Sequence, residues 1–181
     1  MLRGTGVKSA MRSALVPLFL VLSACAHSGD AGLASADNHH PAYPEATSYD
    51  VSSDAMAEVD AALARSAAND TRVLLVMGAN WCHDSRALAG WLGTPRFDAM
   101  IAENYELVFV NIGMPQTGDG HNLEIARRFG LDDLPGSPNV LVLTPAGELV
   151  NADTATTWRN AASRSDDAIF EELQSLADRI I

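Results

Sequence analysis

The tightest constraint on this chain is an apolar run, Val73-Leu74-Leu75-Val76-Met77. It breaks at Gly78-Ala79-Asn80 and gives way to Trp81-Cys82-His83-Asp84-Ser85. A short unbroken apolar run bounded by turn residues reads as a strand buried on both faces, which requires structure layered on either side of it. The following residues, Arg86-Ala87-Leu88-Ala89-Gly90-Trp91-Leu92, carry helical spacing, so a core strand hands over to a helix and Cys82 stands at the handover. Unpaired N–H groups and partial positive charge at a helix start favour a thiolate over a thiol.

The rest of the chain supplies the layers. Asp54 to Ala68 reads as an amphipathic helix, with Met56, Val59, Leu63 and Ala67 on one face and Ser52 or Ser53 as cap. Arg72 to Gly78 is the first strand and His83 to about Leu92 the second helix. Gly93-Thr94-Pro95 interrupts it before a further apolar face, Phe97, Met100 and Ile101. Tyr105 to Ile112 is a strand, Gly113 to Gly120 a polar loop, and Asn122 to Phe129 a short helix closed by Gly130. Asn139 to Thr144 is a strand, and Pro145-Ala146-Gly147 turns into a returning strand, Glu148-Leu149-Val150. Ser165 caps a last helix running through Ile180, with Asp166 and Asp167 in its favourable first turn. The order α, β, α, β, α, β, β, α implies an α/β domain: a central mixed sheet of about four to five strands flanked by helices.

The N-terminal region belongs to none of this. Arg3, Lys8 and Arg12 precede an apolar stretch, Ala14 to Leu22, too short for an ordinary membrane-spanning helix. Met11 is a second plausible start. The stretch ends in Leu22-Ser23-Ala24-Cys25, which resembles a bacterial lipobox. That resemblance implies a signal peptide at 1–24, a diacylglyceryl thioether on Cys25 and, with Ala26 following, the outer membrane of a Gram-negative cell. An ordinary signal peptide leaving Cys25 free is the alternative. Residues 25–53, rich in Ser, Ala, Asp, Gly and Pro, read as a flexible tether, and residues 54–181 as the domain. His39-His40 in the tether lacks further ligands and reads as solvated.

From Cys25 onward the chain keeps nine of its twelve basic residues, all arginine, against all 23 acids, a formal charge of −14. Such a surface excludes nucleic acid and adhesion to anionic lipid as the basis of function. The chain has two cysteines. With Cys25 acylated, Cys82 has no intramolecular partner, an unusual economy for an oxidising compartment. No cofactor or metal site is expected, and Asp119 with His121 reads as turn chemistry rather than a ligand pair.

Three features resemble the thioredoxin superfamily: Trp81-Cys82, then Phe129-Gly130-Leu131, then Ser137-Pro138 before Val140-Leu141-Val142-Leu143. The resemblance implies the thioredoxin-like fold over roughly 54–181, a nucleophilic role for Cys82, and a cis peptide at Pro138 facing it, Pro135 being the alternative. It also implies that Trp81, Ser137 and Pro138 contact an extended substrate. A bacterial branch reading Trp-Cys-x-Asp-Cys or Trp-Cys-x-Asp-Ser, then Arg-Ala-Leu, is closer still, and Asn122-Leu123-Glu124-Ile125-Ala126 fits its following helix. Two departures bear on chemistry. Ser85 stands where the family has its second cysteine, and Val76 where thioredoxins bury a proton-shuttling carboxylate.

A hydroxyl cannot resolve a mixed disulfide, so net electron flow through an internal disulfide is excluded, while the first attack by Cys82 is untouched. On this reading His83, if protonated, adds positive charge near the sulfur, Asp84 opposes it, and Ser85 donates a hydrogen bond to it. The expectation is a periplasmic, lipid-anchored monothiol protein exchanging disulfides with cysteine-containing envelope proteins or small thiols. Two alternatives stand beside it: a non-catalytic binding module that uses the Ser137-Pro138 groove, and a thiol sensor oxidised at Cys82.

Overall fold

The computed structural model describes residues 43–181 with the exception of Ser52. The signal peptide, Cys25 and His39-His40 lie outside the described residues. The elements are α1 (Ala55–Asn69), β1 (Arg72–Gly78), α2 (His83–Leu92), α3 (Pro95–Asn104) and β2 (Tyr105–Asn111), then a small ribbon of β3 (Gly113–Met114) and β4 (Asp119–Gly120). After these come α4 (Leu123–Arg128), β5 (Asn139–Leu143) and α5 (Asp166–Asp178). The main sheet has the order β2-β1-β5, with β1 parallel to β2 and antiparallel to β5.

β1 is the centre of the molecule because its side chains alternate between two cores. Leu74 and Val76 pack with residues of α2, α3 and α5, together with Tyr49 and Trp158. Val73, Leu75 and Met77 pack with α1, Ile125 and Phe129 on the other face. Each such side chain contributes about 1.5–3 kcal/mol through burial, an upper bound on the net effect. Paired strands on both sides satisfy the β1 backbone, so the chain leaving β1 at Gly78 starts from a fixed point.

The helices begin where the sequence places them, with one change of cap. Asp54, not Ser52 or Ser53, caps α1, its carboxylate accepting from the Ala57 N–H at 3.1 Å. Ser165 caps α5 through the Ala168 N–H as expected.

The sheet is smaller than expected. After the Pro145-Ala146-Gly147 turn only a single bridge forms, Leu143 to Leu149, with the Val150 N–H donating to Val142 O at 2.8 Å. The chain then leaves the edge, and the buried Asn151 side chain takes the strand's place. Its Oδ1 accepts from the Val142 N–H and its Nδ2 donates to Val140 O, both at 2.9 Å. A side-chain amide has the donor and acceptor of a peptide group, so one residue closes an edge that a further strand would have closed.

The domain also begins earlier than residue 54. Tyr43 to Asp50, expected within the tether, form a strap across α2. Ala46 N–H donates to Arg86 O at 3.1 Å, and Tyr49 is 1 % exposed. Tyr49 meets Phe109 edge to face at 5.4 Å.

Candidate functional site

Cys82 is the cap residue of α2, in extended conformation, and no side chain caps the helix. The uncapped first turn therefore presents its positive end at the sulfur. Four hydrogen bonds fix the preceding loop. The Cys82 N–H donates to Ala79 O at 3.1 Å. The Arg86 guanidinium donates to Asn80 O at 3.0 Å and Trp81 O at 3.2 Å. The Asn80 side chain is held by the strap residue Tyr49, to whose carbonyl its Nδ2 donates at 2.9 Å.

Opposite the sulfur lies the loop entering β5. The Ser137-Pro138 bond is cis, and no other cis bond occurs among the described residues, so Pro135 is not the cis residue. Cys82 Sγ donates to Ser137 O at 3.3 Å. Cys82 is buried, with 7 % of the residue exposed. Trp81 beside it is 48 % exposed, its Nε1 donating to Gly113 O at 2.9 Å, which fixes the indole against the β3–β4 ribbon. The Ser137 hydroxyl is buried without a partner among the described residues.

Two expected roles are filled differently. Ser85 is fully buried, but its Oγ accepts from the Ala79 N–H at 3.4 Å rather than donating to the sulfur. It thus holds the loop that presents Cys82. The His83 ring is turned to Asp84, with Nε2 3.3 Å from Oδ2, and makes no hydrogen bond to Sγ. Asp84 Oδ1 accepts from the Ala162 N–H at 2.8 Å, pinning the first turn of α2 to the 161–163 segment. Asp119 and His121 do not meet. Asp119 accepts from the Thr117 hydroxyl, while His121 Nε2 lies 2.9 Å from Asn111 Oδ1.

The profile of a family described as thioredoxin-like matches residues 54–145. The chain belongs to the thioredoxin-like family. The crystal structure of a disulphide isomerase from Xylella fastidiosa Temecula1 is 32 % identical to it, with a TM-score of 0.64. That match covers 72 % of this chain and 97 % of the other. The comparison with curated proteins returns no match.

Within this thioredoxin-like domain, sequence reasoning missed three participants. Tyr49 is one, its hydroxyl donating to Ser85 O at 3.2 Å directly behind the motif helix. Burial drives its phenol well above the ordinary tyrosine range; a hydrogen bond involving Ser85 partly offsets this, and the nearby Cys82 adds a little to it. Asn111 is another, its Nδ2 reaching Tyr49 O at 3.2 Å from the end of β2. The third, Arg159, lies against Gly136 at the base of the proline loop. The one available signal was the lone aromatic in Ala46-Thr47-Ser48-Tyr49-Asp50, too large and apolar for a solvated tether.

Proposed function

We propose that the protein carries out thiol–disulfide exchange through Cys82 alone. The observation that carries this reading is the sulfur at the uncapped start of α2, 3.3 Å from the carbonyl that precedes a cis proline. The Cys82 thiolate attacks one sulfur of a partner disulfide. That S–S bond breaks, a Cys82–partner disulfide forms, and the other half leaves as a thiolate that takes up a proton from water. Ser85 offers no second sulfur. Release therefore requires a thiolate from the same partner, which yields a rearranged disulfide, or from a small thiol. In both cases Cys82 returns as a thiolate and no electrons remain on the protein; in the second the small thiol is left in a mixed disulfide with the partner, and a second small thiol is needed to free the reduced partner and the oxidised small-thiol dimer.

The disulphide isomerase likeness supports isomerisation as the net outcome, because a single thiol suffices for it. Leu22-Ser23-Ala24-Cys25 supports the same work being done from a lipid anchor at the periplasmic face of a membrane. The rival reading, a binding module, is favoured by one observation: the S–H rests on a backbone carbonyl with 7 % of the residue exposed.

Non-reducing electrophoresis after alkylation of envelope extracts separates the two. Exchange requires adducts with the wild type that vanish on reduction and are missing from Cys82→Ala. A module would hold the same partners with or without the sulfur and trap none covalently. Incorporation of labelled palmitate, lost in Cys25→Ser, tests the anchor.

A further inference from the structure

Between the first turn of α2 and the 159–163 segment lies a cleft of about 500 Å³, bordered by His83, Asp84, Arg159 and Asn160. Its lining includes His83 and Asp84, the two residues that follow Cys82 in the chain. It also reaches the proline loop, because a Cβ at Gly136 would sit 2.9 Å from Arg159 Cδ. The exposed Arg159 makes no ion pair and no hydrogen bond among the described residues. Arg65, Arg86, Arg96, Arg128, Arg164 and Arg179 each face a carboxylate. Arg127, equally unpaired, is on α4. Asp84 also lines the cleft, but its oxygens are engaged by the Ala162 N–H and His83. Asp132 and Asp133, on the approach to Gly136, form no pair with Arg159. In a chain with 23 acids to twelve bases, a guanidinium left unpaired in the cleft that His83 lines, against the residue before Ser137, is available to an incoming anion.

We propose that Arg159 binds a carboxylate carried by the disulfide or thiol that reacts at Cys82. This rests on the exchange reading and adds to it a substrate class: acidic small thiols, or polypeptides with an acidic residue beside the cysteine. The local and global fields oppose each other here. The acidic surface as a whole repels anionic disulfides and attracts cationic ones, whereas Arg159 does the reverse at short range.

The test follows the mass of the Cys82 adduct over time with dithiodipropionate, hydroxyethyl disulfide and cystamine, for the wild type and for Arg159→Gln. Taking the ratio of the two proteins for each reagent cancels the reagents' intrinsic reactivity. The expected ratio is about two- to fivefold for dithiodipropionate, near one for hydroxyethyl disulfide and below one for cystamine. Arg159→Lys should restore part of the preference and 1 M salt should erase it. Disulfide-linked peptides with Glu or Gln beside the cysteine form the second arm. A charge preference in both arms assigns the site to any carboxylate, and one confined to peptides assigns it to polypeptides; both uphold the proposal. The same ratio for all reagents in both arms overturns it while leaving exchange intact. No adduct with any reagent overturns the exchange reading itself.

Discussion

Asn80 and Tyr49 are joined as two strands would be. The Tyr49 N–H donates to Asn80 Oδ1 at 3.2 Å and Asn80 Nδ2 donates back to the Tyr49 carbonyl at 2.9 Å. The same carbonyl also accepts from Asn111 Nδ2. The residue two before Cys82 is thus positioned by a segment more than thirty residues upstream. The strap is part of the site rather than a lead-in to it.

Tyr49→Ala should therefore cost about 3–5 kcal/mol, the range for emptying a large aromatic site in a core. Tyr49→Phe keeps the packing and removes one hydrogen bond to Ser85 O, a loss of about 0.5–1.5 kcal/mol. The pH dependence has a definite sign. The folded phenol is held above its unfolded value, so its contribution is complete below about pH 10 and declines as pH rises through the folded value. Urea titrations at neutral and strongly alkaline pH should show the wild type losing its advantage over Tyr49→Phe only in alkali.

Gly90 gives a case in which local propensity and tertiary contact disagree. In an isolated helix Gly→Ala gains about 0.8–1.0 kcal/mol. Here a Cβ at residue 90 would lie 2.1 Å from Pro44 O and 2.4 Å from Pro44 C, both backbone atoms of the strap. Gly90→Ala should destabilise by about 1–3 kcal/mol or free the strap from α2. Faster amide exchange at Ala46, whose N–H donates to Arg86 O, would report the release. A stabilised protein with an unchanged Ala46 amide would show that the strap does not press on α2.

How much of this was legible follows from where the partners lie. The apolar run 73–77 and the helical spacing after Cys82 declare themselves within a short window, and β1 and α2 form as they imply. Tyr49 was hidden because its partners are 31, 36 and 62 residues away, and no apolar period runs through the residues around it. The Ser85 hydroxyl was assigned to the sulfur because both are on one helical turn. The loop N–H of Ala79 reached it first, a contact that depends on how the chain leaves β1. Arg159 sits in an irregular stretch where no periodicity points anywhere.

Ser85→Cys restores the second thiol of the motif. The position is fully buried one turn from Cys82, so the new sulfur replaces an oxygen that already faces the Cys82 loop. Mild oxidant should yield an internal disulfide, seen as the loss of both free thiols to alkylation. The variant should also gain insulin-reducing activity with dithiothreitol as donor. Two thiols that both stay alkylatable under oxidant would mean that residues 82 and 85 are not in bonding register.

Glu106 tests a surface contact between α1 and β2. The Arg65 guanidinium, at 2.7 Å, holds its carboxyl below the ordinary range, and Asn69 adds a second hydrogen bond. A depressed carboxyl stabilises fully above its unfolded value, and that share fades as pH falls through the folded value. Glu106→Gln should cost about 0.2–1 kcal/mol at neutral pH. The gap from wild type should close in acid. A gap independent of pH would assign the loss to packing instead.

Asn151 satisfies two backbone groups at the outer edge of the sheet, so its substitution separates hydrogen bonding from burial. Asn151→Ala leaves the Val142 N–H and the Val140 carbonyl without their partners in a fully buried position, at about 1–3 kcal/mol for each group left unsatisfied. Asn151→Asp keeps the shape and the acceptor for the Val142 N–H. It replaces the donor to Val140 O with a second acceptor and buries a charge, so it should be no better than alanine at neutral pH. Protonating the aspartate at low pH restores a donor, and Asn151→Asp should then recover relative to Asn151→Ala. β5 runs directly from Pro138 to this edge, so loss of the amide should also loosen the loop facing Cys82. Measured by alkylation, the Cys82 thiol in Asn151→Ala should react faster than in the wild type under native conditions. An unchanged alkylation rate with the expected loss of stability would show that the edge supports the fold but not the site.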